Sequence, residues 1–135
     1  MALATSIIVS FRTTGDDKDW DTQVRDRVVV NGADMATLFC CSADHESDHW
    51  IKGSTNARPM TIVQQIQKGS LQGGTFVLGE VANGHDQWIF IPTLTVNYDD
   101  GTKEEWTFQE TTLTSDNNLI EQPYPIPAGA DAAKA

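Results

Sequence analysis

The stretch Gln87 to Tyr98 constrains this chain more than any other. In it Trp88, Phe90, Leu94, Val96 and Tyr98 alternate with Ile89, Ile91, Thr93 and Thr95. A period of two is the signature of a strand with one buried face, because successive side chains point to opposite sides of a pleat. A helix would scatter the same residues around its circumference. Pro92 sits inside the run and has no N–H to donate, which predicts a bulge or an edge at that point.

Shorter alternating runs repeat on either side. Ser6 to Arg12 places Ile7, Val9 and Phe11 on one face, and Gln23 to Val30 groups Val24, Asp26, Val28 and Val30. Asn31-Gly32 supplies residues that tolerate positive φ in a hairpin turn, and Met35 to Cys41 is the expected return strand. Trp50-Ile51 reads as a short edge strand and Gly53 to Pro59 as a loop. Met60 to Ile66 fits either a strand or one short helix, with strand preferred. A loop at Gly69 to Gly74 precedes a strand from Phe76 to Glu80. Asp99-Asp100-Gly101-Thr102 makes a hairpin into Lys103 to Gln109, and Thr111 to Leu113 and Leu119-Ile120 close the sheet. The expectation is an all-β fold, an antiparallel β-sandwich of about seven to eight strands.

At 135 residues the chain suits one core. The expected division is a sandwich domain over residues 1–122 and an extended Pro/Ala-rich tail over 123–135. No stretch reaches the ~20 apolar residues that span a bilayer, and the first residues do not read as a leader. Adjacent Cys40 and Cys41 are read as reduced thiols, one on each side of a strand. That leans towards the cytosol, although a mature secreted domain would read the same. The formal charge of −10, with nine scattered Lys and Arg, argues against a nucleic-acid partner. Oligomeric state is left open.

Candidate function concentrates in Thr13 to Thr22, where Asp16, Asp17, Asp19 and Asp21 crowd around one basic residue, Lys18. Such carboxylates repel unless a positive charge joins them, and calcium takes 6–8 oxygen ligands. A calcium loop is therefore expected, against the alternative of a solvated acidic turn. An EF-hand is excluded: counting from Asp17, the sixth and twelfth positions are Thr22 and Val28, not the required glycine and glutamate. The group His45, Glu46, Asp48 and His49 lacks helical periodicity and reads as a polar loop, and His85 reads first as a residue that fixes its turn. Trp20 and Trp50 occupy loop contexts, where an aromatic can enter a lipid interface or stack on a sugar ring. No nucleophile elbow or phosphate loop is present, so an enzyme is not expected, with a carboxylate-based glycosidase or lyase as the formal exception.

Two segments together resemble the PLAT family of β-sandwich modules. In Ile8 to Val30 a strand, Thr14-Gly15-Asp16, a polar loop and Asp21-Thr22-Gln23-Val24 follow that family's opening hairpin. In Phe76 to Val96 a strand runs through Gly84-His85-Asp86 to Trp88. The first loop departs from the pattern at Lys18, Asp19 and Trp20, and the second is shortened to Gln87. The resemblance implies that both acidic loops lie at one end of the sandwich, with Asp16, Asp17, Asp19, Asp21, Asn83 and Asp86 converging on calcium. The expected function is calcium-dependent engagement of a lipid surface, with Trp20, Trp50 and His85 at the ligand. A calcium-dependent carbohydrate-binding module and a calcium-independent protein-interaction domain are the alternatives.

Overall fold

The computed structural model describes residues 1–41 and 48–128. Within them the chain forms β1 (Ala4–Thr13), β2 (Gln23–Val30), β3 (Ala33–Cys40), β4 (Thr55–Ile62), β5 (Thr75–Val81), β6 (His85–Tyr98), β7 (Lys103–Thr107), β8 (Thr111–Asp116) and β9 (Leu119–Pro125). All pairings are antiparallel, in the order β7-β6-β1-β4-β3-β2-β5-β9, with β8 also on β6. The described residues are all-β and carry no helix long and apolar enough to cross a membrane.

The sheet curls at β4, which pairs with β1 from Thr55 to Met60 and passes to β3 at Thr61 and Ile62. That corner lets two antiparallel layers face each other across one core. Into it point Ile7, Val9 and Phe11 of β1, Val24 and Val28 of β2, Phe76 and Leu78 of β5, and Trp88, Phe90, Leu94 and Val96 of β6. The period of two in the sequence thus becomes the inner face of the fold.

Pro92 sits opposite Phe11 in the unbroken β1–β6 ladder. Its carbonyl accepts from Phe108 on the other side, so its missing N–H also faces that side. There β8 pairs with His85–Phe90 and β7 with Thr93–Asn97, and the proline falls in the gap between them. No ladder bond is lost, and neither a bulge nor an edge strand is needed.

Three segment expectations are corrected. Thr55 to Pro59 is strand rather than loop, because β4 is recruited by the β1 edge and Pro59 stands opposite Ile8 where, among the described residues, β4 pairs on one side only. Beyond Ile62 the chain leaves the sheet, and Ile66 is buried from a turn. At the C-terminal end β9 continues past Gln122 to Pro125 on β5, and Ile126 exchanges hydrogen bonds with Gly73 and Gly74. By strand alternation Pro123 and Pro125 then turn their N–H-less side outward, which protects an open edge from further pairing.

Cys40 and Cys41 are joined in a disulfide, where reduced thiols were expected. The strand ends at Cys40 and Cys41 has φ 76°, so the two side chains no longer alternate across a pleat. Buried Glu104 ties the 67–74 turn to β6. It accepts from Gln72 Nε2 at 2.9 Å, Gly69 N–H at 3.3 Å and the Tyr98 hydroxyl. Burial, followed by that carboxylate, holds the Tyr98 hydroxyl well above its usual range.

Candidate functional site

The segment after β1 is drawn against β6 from its first residues. Thr14 and Gly15 both donate to the Ile89 carbonyl, and Ile89 N–H returns a bond to Asp16 O. A Cβ on Gly15 would lie 2.8 Å from the Ile89 side chain, so only glycine allows this approach. Lys18 and Trp50 then exchange backbone bonds of 3.0 Å, attaching the His49 to Ser54 segment to the same end. On the third side is the turn from β5 to β6, where Gly84 has φ 102°.

The two acidic loops therefore meet. Asp86 Oδ2 accepts from Asp19 N–H at 3.0 Å, Asn83 Nδ2 donates to Asp21 Oδ2 at 3.1 Å, and Gln87 Nε2 donates to Asp16 Oδ2 at 2.6 Å. Asp17 accepts from Lys52 N–H at 2.6 Å and lies 3.5 Å from His49 Nε2. His45 and Glu46 fall outside the described residues. Asp48 pairs with Arg58 at 3.0 Å.

At the centre stands Lys18, which is fully buried. Its Nζ donates to Asp19 O at 2.8 Å and Thr22 O at 3.0 Å and lies 4.5 Å from the centre of the Trp50 ring. Burial lowers its pKa to about 8, against the raising influence of Asp48, Asp86 and Glu80. Glu80 is buried beside Asp86. Desolvation first, and then the neighbouring Asp86 carboxylate, push its carboxyl up to about 9, so it holds its proton at neutral pH. Asp19 is raised by its partial burial and by Asp86 and Asp21.

Six oxygen ligands for one cation require side chains turned to a common point. Of the expected ligands, Asp16, Asp17, Asp21 and Asp86 each accept a hydrogen bond from a protein donor, and among the described residues no three His, Cys, Asp or Glu side chains gather as a metal-holding group. Asp16, Asp17, Asp19 and Asp86 border one depression, and Asp21 and Asn83 are bonded to each other beside it. The Lys18 ammonium places a buried positive charge beside Asp86 and Asp19.

The aromatic candidates separate. Trp20 is 44% exposed and, with Asp19, His49 and Ile51, lines a depression of about 560 Å³. Trp50 is corrected: it is fully buried, stacked on Phe11 at 5.2 Å and edge-on to Trp88 at 5.4 Å, so no ligand reaches it. His85 is exposed and its Nδ1 lies 2.5 Å from Asp116 Oδ1 on β8. That bond and the Asp116 charge raise its pKa. It also borders a second depression of about 510 Å³ with Asp16, Asp17, Asp19 and Asp86.

Glu80 was not singled out from the sequence, although the alternation Phe76, Leu78, Glu80 puts it on the inward face. The chain matches no family model, no curated protein and no solved structure.

Proposed function

We propose that the chain is a carbohydrate-binding module whose ligand sits in the depression beside Trp20. The observation that carries this reading is an exposed indole set among Asp19, His49 and Ile51 around one concavity. A sugar offers an apolar ring face to the indole and hydroxyl donors to the carboxylate, and small-ligand sites combine an apolar wall with a few placed polar groups. The PLAT resemblance belongs to the same proposal. It is supported by the meeting of the two loops at one end.

The lipid-surface reading is the second. Exposed Trp20 and Ile51 at one end favour it, whereas a formal charge of −10 repels anionic headgroups unless cations intervene. Calcium enters both readings through Asp16, Asp17 and Asp19, which border the second depression. Binding without turnover is proposed, and an Asp-to-Asn scan for lost activity tests that clause.

The deciding experiment is a glycan array beside co-sedimentation with anionic phosphatidylserine vesicles, each with calcium and with chelator, for the wild type and Trp20→Ala. The expected result is glycan capture that falls about ten- to a hundredfold in Trp20→Ala, the loss that un-burying an aromatic contact brings. Vesicle binding that requires calcium, with no glycan retained, replaces the first reading with the second. Glycan capture unchanged in Trp20→Ala removes the depression from the account.

A further inference from the structure

The sequence leads to the expectation of a cation at the four aspartates, and the structure buries the Lys18 ammonium in the same loop. Lys18 is fully buried, and both carbonyls it binds, those of Asp19 and Thr22, belong to the turn that carries Trp20. That turn is closed by Thr22 N–H on Asp19 O at 3.1 Å, and Asp86 grips it through Asp19 N–H. The ammonium thus takes two carbonyl oxygens of the turn, the kind of ligand a hard cation also takes, and feels the charges of Asp48 and Asp86. The titratable groups facing it are Asp48, Asp86 and Glu80, of which Glu80 is protonated at neutral pH, with Arg58 opposing. The Trp50 ring closes the cation site on the core side, and Arg58 lies over the same ring at 5.2 Å.

We propose that Lys18 is the positioning residue of the ligand-facing end, its buried ammonium ordering the Trp20 turn as a bound divalent cation otherwise would. The functional consequence rests on Trp20 facing the ligand, but the ordering itself does not. An experiment without any ligand therefore tests the two separately.

That experiment is amide hydrogen exchange on the full chain, in calcium and in chelator, for the wild type, Lys18→Met and Lys18→Arg. The wild type should protect the Asp19 and Thr22 amides equally in both conditions. Lys18→Met should speed exchange at these amides about tenfold or more, as expected when hydrogen bonds to a charged group are lost, while amides of the β1–β6 ladder stay slow. Lys18→Arg, which restores the charge, should recover protection at Asp19. Protection in the wild type that appears only with calcium would overturn the proposal, and that readout stands even where Lys18→Met does not fold. Unchanged exchange at Asp19 and Thr22 in a folded Lys18→Met protein would overturn it equally. Glycan binding lost with the turn still ordered would count against the depression and leave the role of Lys18 intact.

Discussion

Asp26 offers a stability test whose size follows from one buried carboxyl. It lies on the inward face of β2 between Val24 and Val28, is almost wholly buried, and its Oδ1 accepts the Gly79 N–H at 3.0 Å. That bond replaces a rung: the β2–β5 register pairs Val24 with Glu80 and next Arg27 with Val77. Among the described residues Oδ2 has no hydrogen-bond partner. Desolvation raises the pKa from 3.8 to about 8, and the Gly79 bond offsets only part of the rise. Between those two values the folded state holds a proton that the unfolded chain has released. Stability therefore falls as pH rises through that window and levels off above about 8.

Each pH unit in the window is worth about 1.4 kcal/mol, so at pH 7 the cost approaches about 4 kcal/mol and at pH 5 about 2 kcal/mol. Asp26→Asn keeps the acceptor for Gly79 and cannot ionise. Its amide NH₂ buries two N–H donors where the acid has one O–H, a cost of about 1–2 kcal/mol that does not vary with pH and is subtracted from the gain. The variant should be more stable than wild type by about 2–3 kcal/mol at pH 7, with the difference shrinking as pH falls and turning against the variant towards about pH 4. Glu80 imposes a similar slope on both proteins and drops out of the difference. Urea unfolding of both proteins at a series of pH values, read at constant m, measures this directly. A stability difference that does not change with pH would refute the reasoning.

Trp50→Ala should cost about 3–5 kcal/mol in denaturant unfolding, because a fully buried indole leaves a cavity among Phe11 and Trp88. Trp20→Ala, at an exposed position, should stay within about 0.5 kcal/mol of wild type, and equal costs for the two would undo their assignment to core and surface. Gly15→Ala should cost about 1–3 kcal/mol, since its Cβ must displace the Ile89 side chain, and the Thr14 and Gly15 amides should exchange faster. By NMR titration His85 should show a pKa above 6.5 that returns towards that value in Asp116→Asn. Because the folded value is the raised one, the pair's small contribution is present below pH 6.5 and is lost as pH climbs through the folded pKa.

Strand identity was legible wherever one face is apolar and the other polar. β1, β2 and β6 follow their alternation, and Asn31 and Gly32 turn with φ 52° and 78° as an asparagine-glycine hairpin should. β4 and the end of β9 were not legible. Arg58, Pro59, Pro123 and Pro125 carry loop propensities, and pairing with β1 and β5 overrides them. For the site, the sequence expectation that two acidic loops share one end agrees with the bonds joining Asp19 to Asp86 and Asp21 to Asn83. Trp50 was misplaced because its neighbours His49, Lys52 and Gly53 look solvated, while Lys18 bridges it into the fold. Lysine is rarely buried, so a sequence reader counts Lys18 as solvent-facing, and only the three-dimensional closure of the Trp20 turn over it reveals its place.

The most direct test is a crystal structure of the wild-type chain grown in millimolar calcium. The expected result is Lys18 Nζ seated between the carbonyl oxygens of Asp19 and Thr22, with no metal inside the turn. A calcium ion bound by Asp16, Asp17, Asp19 or Asp21 with Lys18 displaced to solvent would contradict it.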